Sequence, residues 1–298
     1  MGCPVTRLVG SQHAVSLYPT RNHKGDTMRL GHARREEMRS IDNVHGGAGP
    51  ILFKSLFERE EFKTPFWFVH SAILLPGGGI GHHRHDRCEE IFIAIDNESQ
   101  FTHNGHTSRV VGPAAVPLRK GESHAIYNHT TQETRWFNVN VVDIGETADA
   151  TDFNDDRSNA PLESTDRLPI GRFDRDLLHY RQCHGGKGQV GLRPIWEPQD
   201  FRTNMGGLVH CLIPGRCSIG YHRHDTVEEV HVVMSGSGLA IVDGETQEVT
   251  AGDAVPNFLS VPHGFYNHTD EPLELFILWA CLTKGGFDQV DLGDDLAR

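Results

Sequence analysis

The 298-residue chain lacks any run of 18 apolar residues, so no segment has the character of a membrane-spanning helix. Its start, "MGCPVTRLVG", lacks the long apolar stretch of a secretory leader, which argues against export. Basic charge is scarce: 28 Lys and Arg stand against 40 Asp and Glu, a net charge of −12. Nucleic acids and anionic membrane surfaces need clustered cations, so neither is an expected partner. None of the six cysteines (Cys3, Cys88, Cys183, Cys211, Cys217, Cys281) forms a CxxC pair. In a chain long enough for a full core they read as free thiols in a reducing compartment, and the expected location is cytoplasmic. Long helical periodicity is missing too, apart from a short candidate at "ARREEM" near residue 33. The M-G-x-x-x-[ST] pattern at Gly2 and Thr6 formally fits a myristoylation signal, but so short a match arises readily by chance.

What the chain has is repetition. "HGGAG" at 45–49 recurs as "HGGKG" at 184–188, an offset of 139 residues. "GHHRHDRCEE" at 81–90 recurs at the same offset as "GYHRHDTVEE", and "HAIYNHT" at 124–130 as "HGFYNHT". Between Gly81–Thr130 and Gly220–Thr269, 18 of 50 positions are identical without a gap, so two related domains follow. Within each copy, short segments rich in β-branched and aromatic residues alternate with turns roughly every ten residues. "HNGH" at 103–106 and "VDGE" at 242–245 are two-residue hairpin signals. The expected class is all-β, a sandwich or closed barrel in each half.

His83 and His85 stand two apart, so on a strand they share one face, as do His222 and His224. His124 and His263 arrive about 40 residues later, beyond a hairpin, where a barrel can bring them alongside. Three imidazoles and one carboxylate make a site for a divalent transition ion: iron first, with manganese, nickel, cobalt or zinc as alternatives, and up to two per chain. Four protein ligands leave coordination positions open, which is reactive rather than structural geometry. The turn at Asp86–Arg87 scrambles strand parity, so alternation cannot choose between Glu89 and Glu90, or between Glu228 and Glu229. His82 has no histidine counterpart, because Tyr221 takes its place.

These residues resemble the cupin pattern G-x5-H-x-H-x3–4-E-x6-G followed by H-x3-N. Gly236 lies seven residues after Glu229, as that pattern asks, and Asn97 takes the corresponding place after Glu90. The resemblance therefore implies His83, His85, Glu90 and His124 as one ligand set and His222, His224, Glu229 and His263 as the other. Asn128 and Asn267 close the second motif and read as turn formers. The implied fold is two tandem jelly-roll barrels: an arm over 1–44, barrel one over 45–142, an acidic linker and arm over 143–183, barrel two over 184–284 and an acidic tail over 285–298.

The two copies differ beside the glutamates. Phe92 in copy one corresponds to His231 in copy two, and Asn138 and Asn140 to Ile277 and Trp279. If these face inward, site one is polar and site two is apolar with one ionisable group, which makes His231 the catalytic candidate as an acid or base. Arg84 and Arg223 fall on the opposite face and read as structural; His45 and His184 read as turn or packing residues. The resemblance implies a metal-dependent enzyme acting on a small oxygen-rich organic molecule, with a dioxygenase or other oxidoreductase as the leading expectation. A non-oxidative isomerase, lyase, cyclase or decarboxylase is the alternative, although oxalate decarboxylases carry an arginine where this chain has Ile80 and Ile219. A non-catalytic storage or ligand-binding bicupin is the third; seed globulins of that type have generally lost ligands that this chain keeps. Homo-oligomerisation is compatible with the fold, but no particular residue argues for it.

Overall fold

The computed structural model describes residues 28–297, so the Gly2–Thr6 pattern and Cys3 lie outside the described residues. Among the described residues the regular structure is β, with six three-residue 3-10 turns; "ARREEM" forms one of these turns, at Arg35–Glu37. Each half is a jelly-roll of one seven-stranded and one five-stranded antiparallel sheet, and corresponding strands occupy corresponding places.

In barrel one the strand Cys88–Ala94 lies between Ala114–Leu118 and Thr134–Val142 in the large sheet. Gly79–Arg84 pairs with Ser123–Tyr127 in the small sheet and sets His124 directly opposite His83. Barrel two repeats this arrangement, with His263 opposite His222. Both hairpins form as the Asn-Gly and Asp-Gly pairs require. Asn104 and Gly105 (φ 49° and 82°) and Asp243 and Gly244 (φ 51° and 81°) all take left-handed conformations. Asn97 (φ 54°) and Gly236 (φ 81°) turn the chain after the glutamate strands.

Segments outside the repeated motifs also enter the sheets. Gly31–His32 joins the large sheet of barrel two, and Gly171–Arg172 joins that of barrel one, a reciprocal exchange. Thr151–Asp152 and Val290–Asp291 each add a short edge strand beside the histidine pair of a barrel. The acidic stretches thus carry structure as well as charge.

Cys88–Ala94 is buried along its whole length, and Val227–Ser235 is buried except at its last residue. Such strands serve two layers at once, which explains their near-continuous apolar reading. Phe92 and Ala94 face their own barrel interior, whereas Ile91 and Ile93 pack into a core shared with Val230, Val232, Leu208 and Phe276 of the second barrel. Phe137 meets Phe276 edge-on with ring centroids 5.5 Å apart. Each fully buried side chain of this size contributes about 1.5–3 kcal/mol, so the shared core is a major source of stability.

Candidate metal centres

The period of two along the strand separates the adjacent glutamates. Glu90 faces the interior of barrel one, and Glu89 points the other way into barrel two. There Glu89 accepts hydrogen bonds from the backbone N–H of Arg202 and Thr203 and from the Thr203 hydroxyl, at 2.7–2.9 Å. Glu228 does the converse, accepting from the Lys63 and Thr64 N–H groups and the Thr64 hydroxyl at 2.6–2.9 Å. The two carboxylates that parity could not assign are therefore committed to joining the barrels.

The remaining residues converge. His83, His85, Glu90 and His124 are all buried, and one potential ligand atom from each lies within 4.8 Å of the others; the same holds for His222, His224, Glu229 and His263. In barrel one Glu90 lies 3.6 Å from His85 Nε2 and 3.4 Å from His124 Nε2. In barrel two Glu229 lies 3.7 Å from His224 Nε2 and 3.6 Å from His263 Nε2. Main-chain carbonyls orient most of the rings. Nδ1 of His83 donates to Gly81 at 2.7 Å, of His222 to Gly220 at 2.9 Å, and of His263 to Val261 at 3.0 Å. Nδ1 of His85 donates to the Asp149 carbonyl and that of His224 to the Asp288 carbonyl. Each bond commits Nδ1 as a donor and turns Nε2 toward the centre, where it is the ring atom that can bind a metal ion once unprotonated.

Burial holds the histidines neutral at His83 and His222, both pushed down to about 2, and at His124, which lies well below its usual value. His85 is the exception. Burial opposes its charge, but the Glu90 carboxylate outweighs it and raises the imidazole to about 10. Burial likewise opposes ionisation of Glu229, yet the hydrogen bond from His231 and the nearby imidazoles of His263 and His224 hold it well below the usual carboxylate range. Nε2 of His85, His224 and His263 is buried with no hydrogen-bond partner. Unpartnered, buried ring nitrogens gathered around a carboxylate fit a cation, so each barrel contains a candidate metal site.

The side chains beside the two glutamates differ, although both cavities mix polar and apolar walls: Arg181 and Glu197 line site two, and Phe53, Phe68 and Trp136 line site one. Asn138 and Asn140 donate from Nδ2 to the two Glu90 oxygens at 3.0 and 2.8 Å. Phe92 stacks on His124 at 4.0 Å. In barrel two His231 Nε2 bonds Glu229 at 2.8 Å, while Ile277 and Trp279 stand where the asparagines do. Each centre opens into a cavity, about 430 Å³ at site one and about 350 Å³ at site two, both large enough for a small organic molecule.

Asn128 and Asn267 spend their side chains on turn carbonyls and threonines and do not reach the centres. Arg84 and Arg223 pair with Asp86 and Asp225 outside the centres. His45 and His184 do more than form turns: their rings lie flat on His83 and His222 and line the cavities. His70, which sequence reasoning missed, also lines site one, stacked 3.7 Å from Phe68 and pushed down to about 3 by burial. Its counterpart at the 139-residue offset is Val209, so no repeat signal marks it. A signal did exist for the edge strands, because Asp149 and Asp152 recur as Asp288 and Asp291.

Residues 208–281 match the family model described as a Cupin domain. An oxalate-binding protein of Thermotoga maritima is 28% identical over 88 residues, which is 30% of this chain and 73% of that protein. An uncharacterized protein of Methanocaldococcus jannaschii is 27% identical over 84 residues, covering 28% of this chain and 67% of that one. Among solved structures, oxalate decarboxylase from Bacillus subtilis matches with a TM-score of 0.57 at 14% identity, over 92% of this chain and 81% of that chain. Salicylate 1,2-dioxygenase from Pseudaminobacter salicylatoxidans matches with a TM-score of 0.58 at 14% identity, over 76% of each chain. At such identities the likeness establishes a shared fold. The chain has no helix, among the described residues, long and apolar enough to cross a membrane.

Proposed function

We propose that this chain, a member of the cupin superfamily with two cupin barrels, is a metal-dependent enzyme acting on a small oxygen-rich organic molecule, in the manner of a dioxygenase or related oxidoreductase. The observation that carries the reading is the doubled convergence of three histidines and one glutamate at the floor of a cavity. His83, His85, Glu90 and His124 hold one divalent transition ion, and His222, His224, Glu229 and His263 hold the second. Such an ion supplies Lewis acidity and, as iron, redox chemistry with O₂.

The chain's own residues do the rest. The carbonyl-anchored imidazoles keep their geometry without reorganisation. At site two His231 donates a hydrogen bond from Nε2 to Glu229, and its buried Nδ1 has no partner. That arrangement suits it to take or return a substrate proton. Leu192, Val209 and Ile277 exclude water from the cavity wall and accommodate an apolar substrate body. At site one the asparagine amides hold Glu90 in place and leave their buried Oδ1 atoms unpartnered, which favours a ligand with donors to offer.

A non-oxidative reading, as a decarboxylase or isomerase, draws support from the decarboxylase fold that spans 92% of the chain. The isoleucines at 80 and 219 weigh against a close functional match. Metal analysis with aerobic and anaerobic turnover of a panel of hydroxy and keto acids separates the two. The oxidative reading expects bound iron and O₂ uptake that stops without oxygen. Equal anaerobic turnover would replace it with the non-oxidative one, and protein that retains no transition metal would end both.

A further inference from the structure

Each barrel carries a second histidine–carboxylate pair that the ligand sets do not use. His45 Nδ1 bonds Asp152 at 2.6 Å, and the ring lies over His83 with centroids 3.8 Å apart and planes 13° from parallel. His184 Nδ1 bonds Asp291 at 2.8 Å, and its ring lies over His222 at 3.6 Å and 3°. Both aspartates sit on the short edge strands, opposite the histidines being covered: Asp152 faces His83 and Asp291 faces His222. The same three-residue arrangement has therefore been kept in both copies, although the pockets around it have diverged.

The backbone supports a role for these side chains. His45 and His184 take left-handed conformations at φ 51° and 50°. Among residues with a Cβ, asparagine, aspartate and histidine are the ones that take this conformation most often, so the turn accommodates the imidazole. The turn also touches the ligand strand main chain to main chain. A Cβ on Gly81 would come within 2.1 Å of the His45 carbonyl oxygen, and one on Gly220 within 2.0 Å of that of His184. This contact sets each ring at van der Waals distance from a candidate ligand and inside the cavity.

The chemistry follows from the aspartates. A carboxylate only accepts, so the Nδ1 atoms carry the protons and each Nε2 keeps its lone pair as a hydrogen-bond acceptor. Neither Nε2 has a partner among the described residues. We propose that His45 with Asp152, and His184 with Asp291, accept a hydrogen bond from a hydroxyl of a small ligand held at the metal of their barrel, so that both sites favour ligands with a hydroxyl next to a metal-binding oxygen. The proposal rests on the metal-binding reading above.

Glycolate and methoxyacetate separate the possibilities, because they share a carboxylate and differ in whether the neighbouring oxygen carries a proton. Calorimetric titration of the zinc-loaded full chain is expected to show glycolate binding about fivefold more tightly, the scale of one net hydrogen bond. In the His45→Phe/His184→Phe variant a flat ring still covers each ligand imidazole. Zinc content is expected to stay at two per chain while the preference falls to about one. Asp152→Asn/Asp291→Asn gives a second route with minimal change of shape. The amide can donate to Nδ1, the proton moves to Nε2, and the preference is lost in a folded protein. Equal affinities in the unaltered protein, no binding of either acid, or a preference that survives both variants overturns the inference. Loss of zinc from the phenylalanine variant also overturns it, by assigning the pairs to the metal rather than to its ligand. Absence of zinc uptake by the unaltered chain points instead to failure of the underlying metal reading.

Discussion

In barrel one the Glu90 carboxylate is gripped by two asparagine amides; in barrel two Glu229 accepts a hydrogen bond from His231 and lies beside Ile277 and Trp279. Much of the rest corresponds in the two centres: paired strands, a carbonyl-anchored histidine pair, an aspartate-held ring stacked on the first histidine, and a neighbouring glutamate tied to the opposite barrel. Duplication has preserved the four candidate ligands and the anchoring of the histidine pair, and has varied what touches the carboxylate and the cavity. The side chains that vary stand at offset-related positions on two strands, which is where a new specificity can arise without disturbing the frame.

Breaking one site while leaving the other tests this division most strongly. His222→Ala is expected to reduce bound metal from two ions per chain to one, with site one unaffected; metal analysis of the purified variant reads the outcome. Retention of both ions would remove His222 from the ligand set. A smaller but still large effect is expected when site two is made to resemble site one at the position beside its glutamate. His231→Phe should lower turnover at site two by about a hundredfold while leaving metal content intact, the scale of a lost acid–base group. An unchanged rate and pH profile would make His231 a packing residue.

The paired glutamates sharpen the comparison in another way. Glu89→Ala is expected to cost about 3 kcal/mol of stability, because it strands the Arg202 and Thr203 donors in a buried interface. Glu228→Ala should behave alike, and both variants should keep their metal. Thermal or urea unfolding with metal analysis checks both parts, and a variant that loses its ion without losing stability would exchange the roles of the neighbours. A last comparison concerns pH. His85 is raised to about 10 by Glu90, so an entering ion must displace its proton. In the His222→Ala background, affinity at site one should therefore rise by about tenfold per pH unit between pH 6 and 8.5, then level off above pH 10. An affinity independent of pH would mean that His85 is already neutral.

Much of this was visible in the chain before folding. The fixed offset revealed two domains, the histidine pairs revealed one face of a strand, and Asn104–Gly105 and Asp243–Gly244 revealed their hairpins. The choice between Glu89 and Glu90 was not legible from the residues alone, because a turn resets strand parity and a barrel interface is invisible until the second barrel is in place. Asp152 and Asp291 were hidden among acids that read as a solvated linker and tail. His45 and His184 sat in glycine-rich turns, where a histidine gives no local sign that its ring will reach back over another strand. His70 occurs in one copy and is neutral and half-buried, so neither repetition nor charge marks it.

The central claim is that each barrel holds one cation between three imidazoles and a carboxylate. A crystal structure of the metal-loaded protein, with anomalous data collected at the absorption edge of the bound ion, tests it directly. The account predicts two anomalous peaks per chain, each about 2.0–2.2 Å from Nε2 of the three named histidines and from an oxygen of Glu90 or Glu229. Peaks elsewhere, or metal-loaded barrels in which these side chains turn away from the ion, would contradict it.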